Sequence, residues 1–169
     1  VKPERDGDRW IIRSESGRIL AVMPDGALYF EQVYYIFLEG DDDPKRIPEA
    51  MTESMWCTVA SPPGPLVAGP DGARVLADGA KTLRSQTDRA IIGLFGGNLL
   101  ECGQFFYRND NFLMMLAAEP ERVHRFLDGL VEFHLANLEN FLGAVGDSID
   151  IILFGDDLGM QHGPQLSPD

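Results

Sequence analysis

The residues best able to do chemistry stand near the end of the chain, in Gly155-Asp156-Asp157-Leu158-Gly159-Met160-Gln161-His162. Two adjacent carboxylates after an apolar run can hydrogen-bond or polarise a substrate, and one can work as an acid once its pKa is raised. The same pair can also be structural, one carboxylate capping a turn while the other faces water. Spacing leaves both readings open for Asp156 and Asp157. Gln161 adds a neutral hydrogen-bonding group beside them. His162 is a loop histidine, able to shuttle a proton or ligate a metal, but read as exposed and idle.

A second group lies earlier. Gly96-Gly97-Asn98 follows another apolar run and opens a helical segment. Such a turn can bring backbone amides onto an anion, or the glycines can simply allow a tight turn. Gly97 and Asn98 are therefore candidate substrate contacts. Glu101, one turn further on, is the candidate to share a mouth with Asp156 as a catalytic pair. The Gly-Lys-Ser/Thr element of a P-loop is absent, and so is a dinucleotide fingerprint. His134 lies on an apolar helical stripe and reads as a core histidine. Cys57 and Cys102 stand in unrelated contexts, read as two free thiols of a reducing compartment. No Cys/His framework with metal-ligand spacing occurs, so no metal site is expected in this chain.

These groups need strands and helices to position them. Residues 89–95 and 149–154 are apolar runs of the kind expected for strands covered on both faces. Between them lie helical segments over 99–106 and 112–118, then a long helix opened by Pro120. Val123, Phe126, Leu127, Leu130, His134, Leu138, Phe141, Leu142 and Val145 make its stripe, and Gly146-Asp147 ends it. Strand, helical crossover and strand predict a parallel βαβ unit, with the chemistry beyond the strands' carboxyl ends. A helix over about 71–85, with Val75, Leu76, Ala80 and Leu83 on its stripe, precedes the first strand.

The first thirty residues predict antiparallel strands at 10–13, 18–23 and 27–30, separated by the turns 14–17 and 24–26. Asp41-Asp42-Asp43 reads as a solvated loop, without the alternation and glycine of a calcium loop. A short helix is expected over 49–58, a proline-rich loop over 61–65, and a new helix start at Ser167-Pro168.

Twenty-seven acidic and 14 basic residues leave a formal charge of −13. That balance opposes sequence-independent binding to nucleic acid and docking on an anionic membrane. No apolar run reaches the ~20 residues of a membrane span, and residues 1–6 do not form a signal peptide. A cytoplasmic protein is expected.

From Ile91 onward the chain resembles the uroporphyrinogen decarboxylase superfamily. The pieces are Gly96-Gly97 with Glu101, Asn111-Phe112-Leu113, Glu119-Pro120-Glu121-Arg122-Val123, Gly146-Asp147 with Asp150, and the block from Phe154 to Gln161 followed by Gly163-Pro164 and Ser167-Pro168. The last block is the most specific. The resemblance implies an α/β fold, a partial (β/α)8 TIM barrel with a β-rich N-terminal excursion. The excursion occupies residues 1–38 and the barrel units 66–169, as one partial domain whose remainder lies beyond both ends, since a barrel needs eight strands and typically ~250 residues.

The Gly-Asp-Asp-Leu-Gly block looks more like the corrinoid-linked methyltransferase branch than the porphyrin decarboxylases. The decarboxylases place a tyrosine where Gln104 falls here. The resemblance thus implies a small-molecule, tetrapyrrole or corrinoid substrate, and a corrinoid protein as a possible partner. The parent would use zinc and a corrinoid (cobamide), while this piece holds no cofactor, because the branch's His-x-Cys zinc motif does not occur in it. Uroporphyrinogen decarboxylase itself and a non-catalytic α/β binding domain are the alternatives.

Overall fold

The computed structural model describes residues 2–57 and 70–167. The proline-rich loop expected over 61–65 and the helix start at Pro168 lie outside them. The chain is mixed α/β and divides into two compact units, Val1–Val59 with Gly103–Leu130, and Ala60–Cys102 with Val131–Asp169.

The first unit opens with an antiparallel meander, β1 (Glu4–Asp6), β2 (Arg9–Arg13), β3 (Ile19–Pro24) and β4 (Glu31–Gln32), in that spatial order. Ile11, Ile12, Leu20 and Ala21 are buried in it. Two turns need a left-handed residue and place glycine there, Gly17 at φ 88° and Gly26 at φ 84°. One expectation is corrected and one strand is added. The third strand is not 27–30, where Leu28 is 94% and Tyr29 76% exposed. It is the polar pair Glu31–Gln32, held because buried Gln32 donates to the carbonyls of Tyr34 (2.8 Å) and Phe105 (2.7 Å). The all-polar β1 carries no hydropathy signal. Its pairing is accompanied by surface ion pairs, Arg5 with Asp25 (2.6 Å) and Arg13 with Glu4 (3.3 Å).

A 3-10 turn (Pro44–Arg46) leads into α1 (Ile47–Thr52). The acidic run before it is a loop with Asp41 and Asp43 exposed, as its composition suggests, while Asp42 is partly buried. Asp41 pairs with Arg46 (2.9 Å), and Asp43 caps the turn by accepting from the Lys45 amide (3.0 Å). Asp42 accepts from the Tyr107 hydroxyl (2.9 Å) and from Arg122 Nε (2.6 Å). Burial first, then the bond to Asp42, pushes the Tyr107 hydroxyl far above its ordinary pKa. The rings of Phe37, Phe106, Tyr107, Phe112 and Phe126 meet edge-on, tilted or stacked at 5.2–6.3 Å between centroids. They come from the loop before α1, from α3 (Leu100–Tyr107), from α4 (Asn109–Ala118) and from the start of α5 (Pro120–Val145). Gly103 lies under the Phe112 ring, where a Cβ would stand 2.1 Å from a ring carbon.

The second unit contains α2 (Pro70–Gln86), β5 (Ile92–Gly96), residues 131–145 of α5, β6 (Ile151–Phe154), and a two-residue hairpin of β7 (Gly159–Met160) and β8 (Gly163–Pro164). β5 and β6 are parallel, as expected, with Ile92 beside Ile151, Gly93 beside Ile152 and Leu94 beside Leu153. On one face Phe95, Phe141 and Val145 form a buried cluster with Leu76, Ala80, Leu138, Ile149 and Ile152. Gly93 packs closely there, since a Cβ would stand 2.7 Å from the end of the Ile149 side chain, which would have to shift. The expectation of strands covered on both faces is corrected. Ile92 (58%), Leu94 (60%), Ile151 (50%) and Leu153 (48%) leave the opposite face bare. An apolar run cannot distinguish a covered second face from an open one.

Asp150 ties α2 to the start of β5. Its carboxylate accepts from Arg84 and from the Ile91 amide (2.8 Å), and the Arg84 bond holds its pKa below the usual carboxylate value.

Candidate functional site

The site is built at the carboxyl ends of β5 and β6. Gly96 (φ 87°) and Gly97 (φ 75°) are successive left-handed residues. They swing the chain out of β5 and straight into α3, and the Gly155 amide bonds back to the Gly96 carbonyl at 2.9 Å. A side chain at Gly97 would also press on the Phe95 and Phe154 rings, at 3.2 and 3.3 Å. The turn aims the first amides of α3 toward the loop after β6.

Asp156 fills that position. Its Oδ2 accepts from the amides of Leu99 (2.9 Å) and Leu100 (2.7 Å), and its Oδ1 from the amide of Glu101 (2.9 Å). These are donors that a helix start leaves without an intrahelical partner, at the positive end of the helix dipole. Asp156 and Glu101 therefore do meet at one end of the parallel pair, but through the Glu101 backbone. The Glu101 side chain accepts from Asn98 Nδ2 through Oε2. Its Oε1 accepts nothing among the described residues. Of the two carboxylates, Glu101 keeps one oxygen with no hydrogen-bond partner among the described residues, whereas both oxygens of Asp156 accept from backbone amides.

Gly97 and Asn98 lie in the same turn. Asp157 is exposed and accepts from the Gly159 amide at 3.3 Å, a local turn contact, while its carbonyl accepts from Gln165 (2.8 Å). Gln161 and His162 are exposed in the β7–β8 turn, away from both carboxylates' hydrogen bonds.

His134 is a residue whose role the stripe of α5 understates. It is 6% exposed, and its Nε2 lies 3.1 Å from the Asn98 carbonyl. A carbonyl only accepts, so Nε2 carries the proton and Nδ1 is a bare lone pair. That Nδ1 is buried without a partner among the described residues. Burial lowers the His134 pKa, against smaller raising effects of the Asn98 carbonyl and the Asp156 charge. The linkage has a definite sign. The unfolded chain, with an ordinary value near 6.5, takes up this proton more readily than the fold does. Stability from His134 is whole above about pH 6.5 and is lost as pH falls below it. Urea melts of wild type and His134→Phe across pH 5–8 are expected to diverge on the acid side, with wild type losing more. Parallel curves would remove His134 as the cause.

Among the described residues no three His, Cys, Asp or Glu side chains gather to hold a metal, and both cysteines are buried. Metal analysis of the purified chain after dialysis is expected to find well under one zinc per chain. One tightly held zinc would overturn this.

The site and fold define a mixed α/β protein with a parallel βαβ unit and an acidic cap at its carboxyl end. Compared with known protein families, curated proteins and solved structures, the chain matches none. No helix of the described residues is long and apolar enough to cross a membrane.

Proposed function

We propose that this chain supplies one wall and part of the mouth of a cytoplasmic (β/α)8-barrel enzyme of the uroporphyrinogen decarboxylase type. Within that superfamily the reading is a methyl transfer between a corrinoid and a small acceptor. The observation that supports it is the bare face of β5 and β6. Ile92, Leu94, Ile151 and Leu153 are apolar and exposed on the side opposite α2 and α5. Barrel strands carry branched apolar residues on the side away from their helices, where they fill the barrel interior. The polar candidates Gly97, Asn98, Glu101 and Asp156 then stand at the carboxyl-terminal mouth, where barrel enzymes do their chemistry. Glu101 is the side chain placed to exchange a proton, and Asp156 holds it in position through the start of α3.

A second reading has its own observation. All the hydrogen bonds of Asp156 go to backbone amides, as expected of a structural cap in a non-catalytic α/β binding domain. The protein translated from the whole reading frame containing this chain separates the two. Incubated with methylcobalamin and a small thiol, it is expected to release cob(I)alamin, followed by its absorbance. Conversion of uroporphyrinogen to coproporphyrinogen instead would give the decarboxylase. Neither activity, in a protein that melts cooperatively as a monomer, would favour the binding domain.

A further inference from the structure

The start of α3 has more capping groups than it uses. Asn98 stands just before the helix and Glu101 in its first turn. At that spacing a capping residue and a glutamate ordinarily serve each other's backbone amides. Here the amides of Leu99, Leu100 and Glu101 are all taken by Asp156, from the loop after β6. The two local side chains turn to each other instead, Asn98 Nδ2 donating to Glu101 Oε2. We infer that Asn98 is a positioning residue: it pins Oε2 of Glu101, so that Oε1 is the oxygen presented to the substrate, and it does not touch the substrate itself.

Three observations carry this. The first is that capping is already done. With Asp156 on those amides, Asn98 has no helix end left to serve, and its side chain is free to hold a carboxylate. The second is burial. Asn98 is 6% exposed, too enclosed for the substrate contact its place in the turn suggests, while Glu101 is half-buried. The third is that Asn98 is itself held. Its carbonyl accepts from His134 Nε2 at 3.1 Å, and its amide lies against Gly155, where a Cβ would stand 3.8 Å from Nδ2. The amide is thus bracketed by α5 and by the loop after β6, and little freedom is lost when it binds Glu101.

The orientation of the amide follows from chemistry. With its oxygen and nitrogen exchanged, it would set an acceptor against a carboxylate, so the nitrogen faces Glu101. The bond is charge-assisted and short-reached, the kind that fixes a carboxylate in one place. A glutamate left to its own rotamers would sample several positions, and a reacting group misplaced by about 1 Å can lose about a hundredfold in rate. All the groups concerned belong to the second unit. The inference rests on the proposed role of Glu101 as the side chain that exchanges a proton.

The test uses the protein of the whole reading frame, in whichever of the two assays its wild type answers, with Asn98→Ala and Asn98→Asp. Aspartate caps a helix as well as asparagine does, but it cannot donate and sets a second carboxylate against Glu101. Both variants are expected to lower kcat by about tenfold to a hundredfold. KM should stay within about twofold, because neither change removes a contact to bound substrate. Hydrogen exchange at the amides of 99–101 should stay at the wild-type rate in both, since Asp156 still holds them. A capping role predicts the reverse, full kcat in Asn98→Asp and faster exchange in Asn98→Ala, and would overturn the inference. A raised KM at unchanged kcat, the mark of a substrate contact, would overturn it too. Wild type without turnover in either assay would remove the role of Glu101 and the inference with it. An active wild type with an unimpaired Asn98→Asp would remove the inference alone.

Discussion

Phe126→Ala is expected to destabilise the first unit by about 3–5 kcal/mol, the range for emptying an aromatic site in a packed core. Phe126 is 2% exposed and lies 5.2 Å from Tyr107, 5.8 Å from Phe112, 6.0 Å from Phe106 and 6.3 Å from Phe37, centroid to centroid. All four contacts are steeply tilted, the arrangement in which a ring edge meets a ring face. The four partner rings are themselves bound into a network, so they cannot collapse into the space a missing ring leaves. Phe126→Leu, which keeps most of the volume and loses the edge-to-face geometry, should cost markedly less. On the same helix Leu142 is 43% exposed, and Leu142→Ala should cost about 1 kcal/mol or less. Urea midpoints at constant slope give the comparison. Equal losses at Phe126 and Leu142 would mean that the ring cluster is not the core of this unit.

What could be read from the sequence followed the range of the interaction involved. The stripe on α5 anticipated buried Val123, Phe126, Leu130, His134, Phe141 and Val145, because a helix face is encoded by local spacing. Leu142 departs from it, lying at the stripe's margin. The parallel pairing of β5 with β6 was legible for a similar reason. Two apolar runs joined by a long helical crossover have few other ways to pair. The strands of the meander were half legible, since β2 and β3 are apolar runs between turn residues and β1 is all polar.

What stayed hidden depended on partners far along the chain. Asp42 looked like one of three solvated acids until Arg122 and Tyr107 met it across 80 and 65 residues. The emptiness of one sheet face was hidden because hydropathy records a preference and not its fulfilment. At the candidate site, the sequence pointed to the two loops that the Asp156 hydrogen bonds join. It did not assign the jobs within them, because the amides that occupy Asp156 lie 55–57 residues earlier. His134 carried a local signal, a histidine on an apolar stripe, but its half-satisfied ring could only be read once Asn98 was in place.

Asp156→Ala is expected to cost about 2–3 kcal/mol, since it removes a carboxylate that accepts from three amides at one helix start. The amides of Leu99, Leu100 and Glu101 have no intrahelical acceptor, and Leu100 is 7% exposed, so water replaces the lost bonds poorly. Asp156→Asn should cost roughly 1–2 kcal/mol, because one amide oxygen can serve only part of what two carboxylate oxygens serve, and the helix end loses its counter-charge. Asp157→Asn, on an exposed side chain with one weak turn contact, should stay within about 0.5 kcal/mol of wild type. Hydrogen exchange at 99–101 should accelerate in both Asp156 variants and not in Asp157→Asn. An Asp156→Asn chain with unchanged stability and unchanged protection of those amides would refute the cap, and would return Asp156 to the role of a reacting group. The reverse pattern assigns the chemistry to its neighbour. If Asp156→Asn loses stability yet, in the protein of the whole reading frame, keeps turnover well below its melting temperature, the cap is structural and Glu101 is the side chain left to move a proton. Glu101→Gln should then abolish turnover while leaving the urea midpoint nearly where it was.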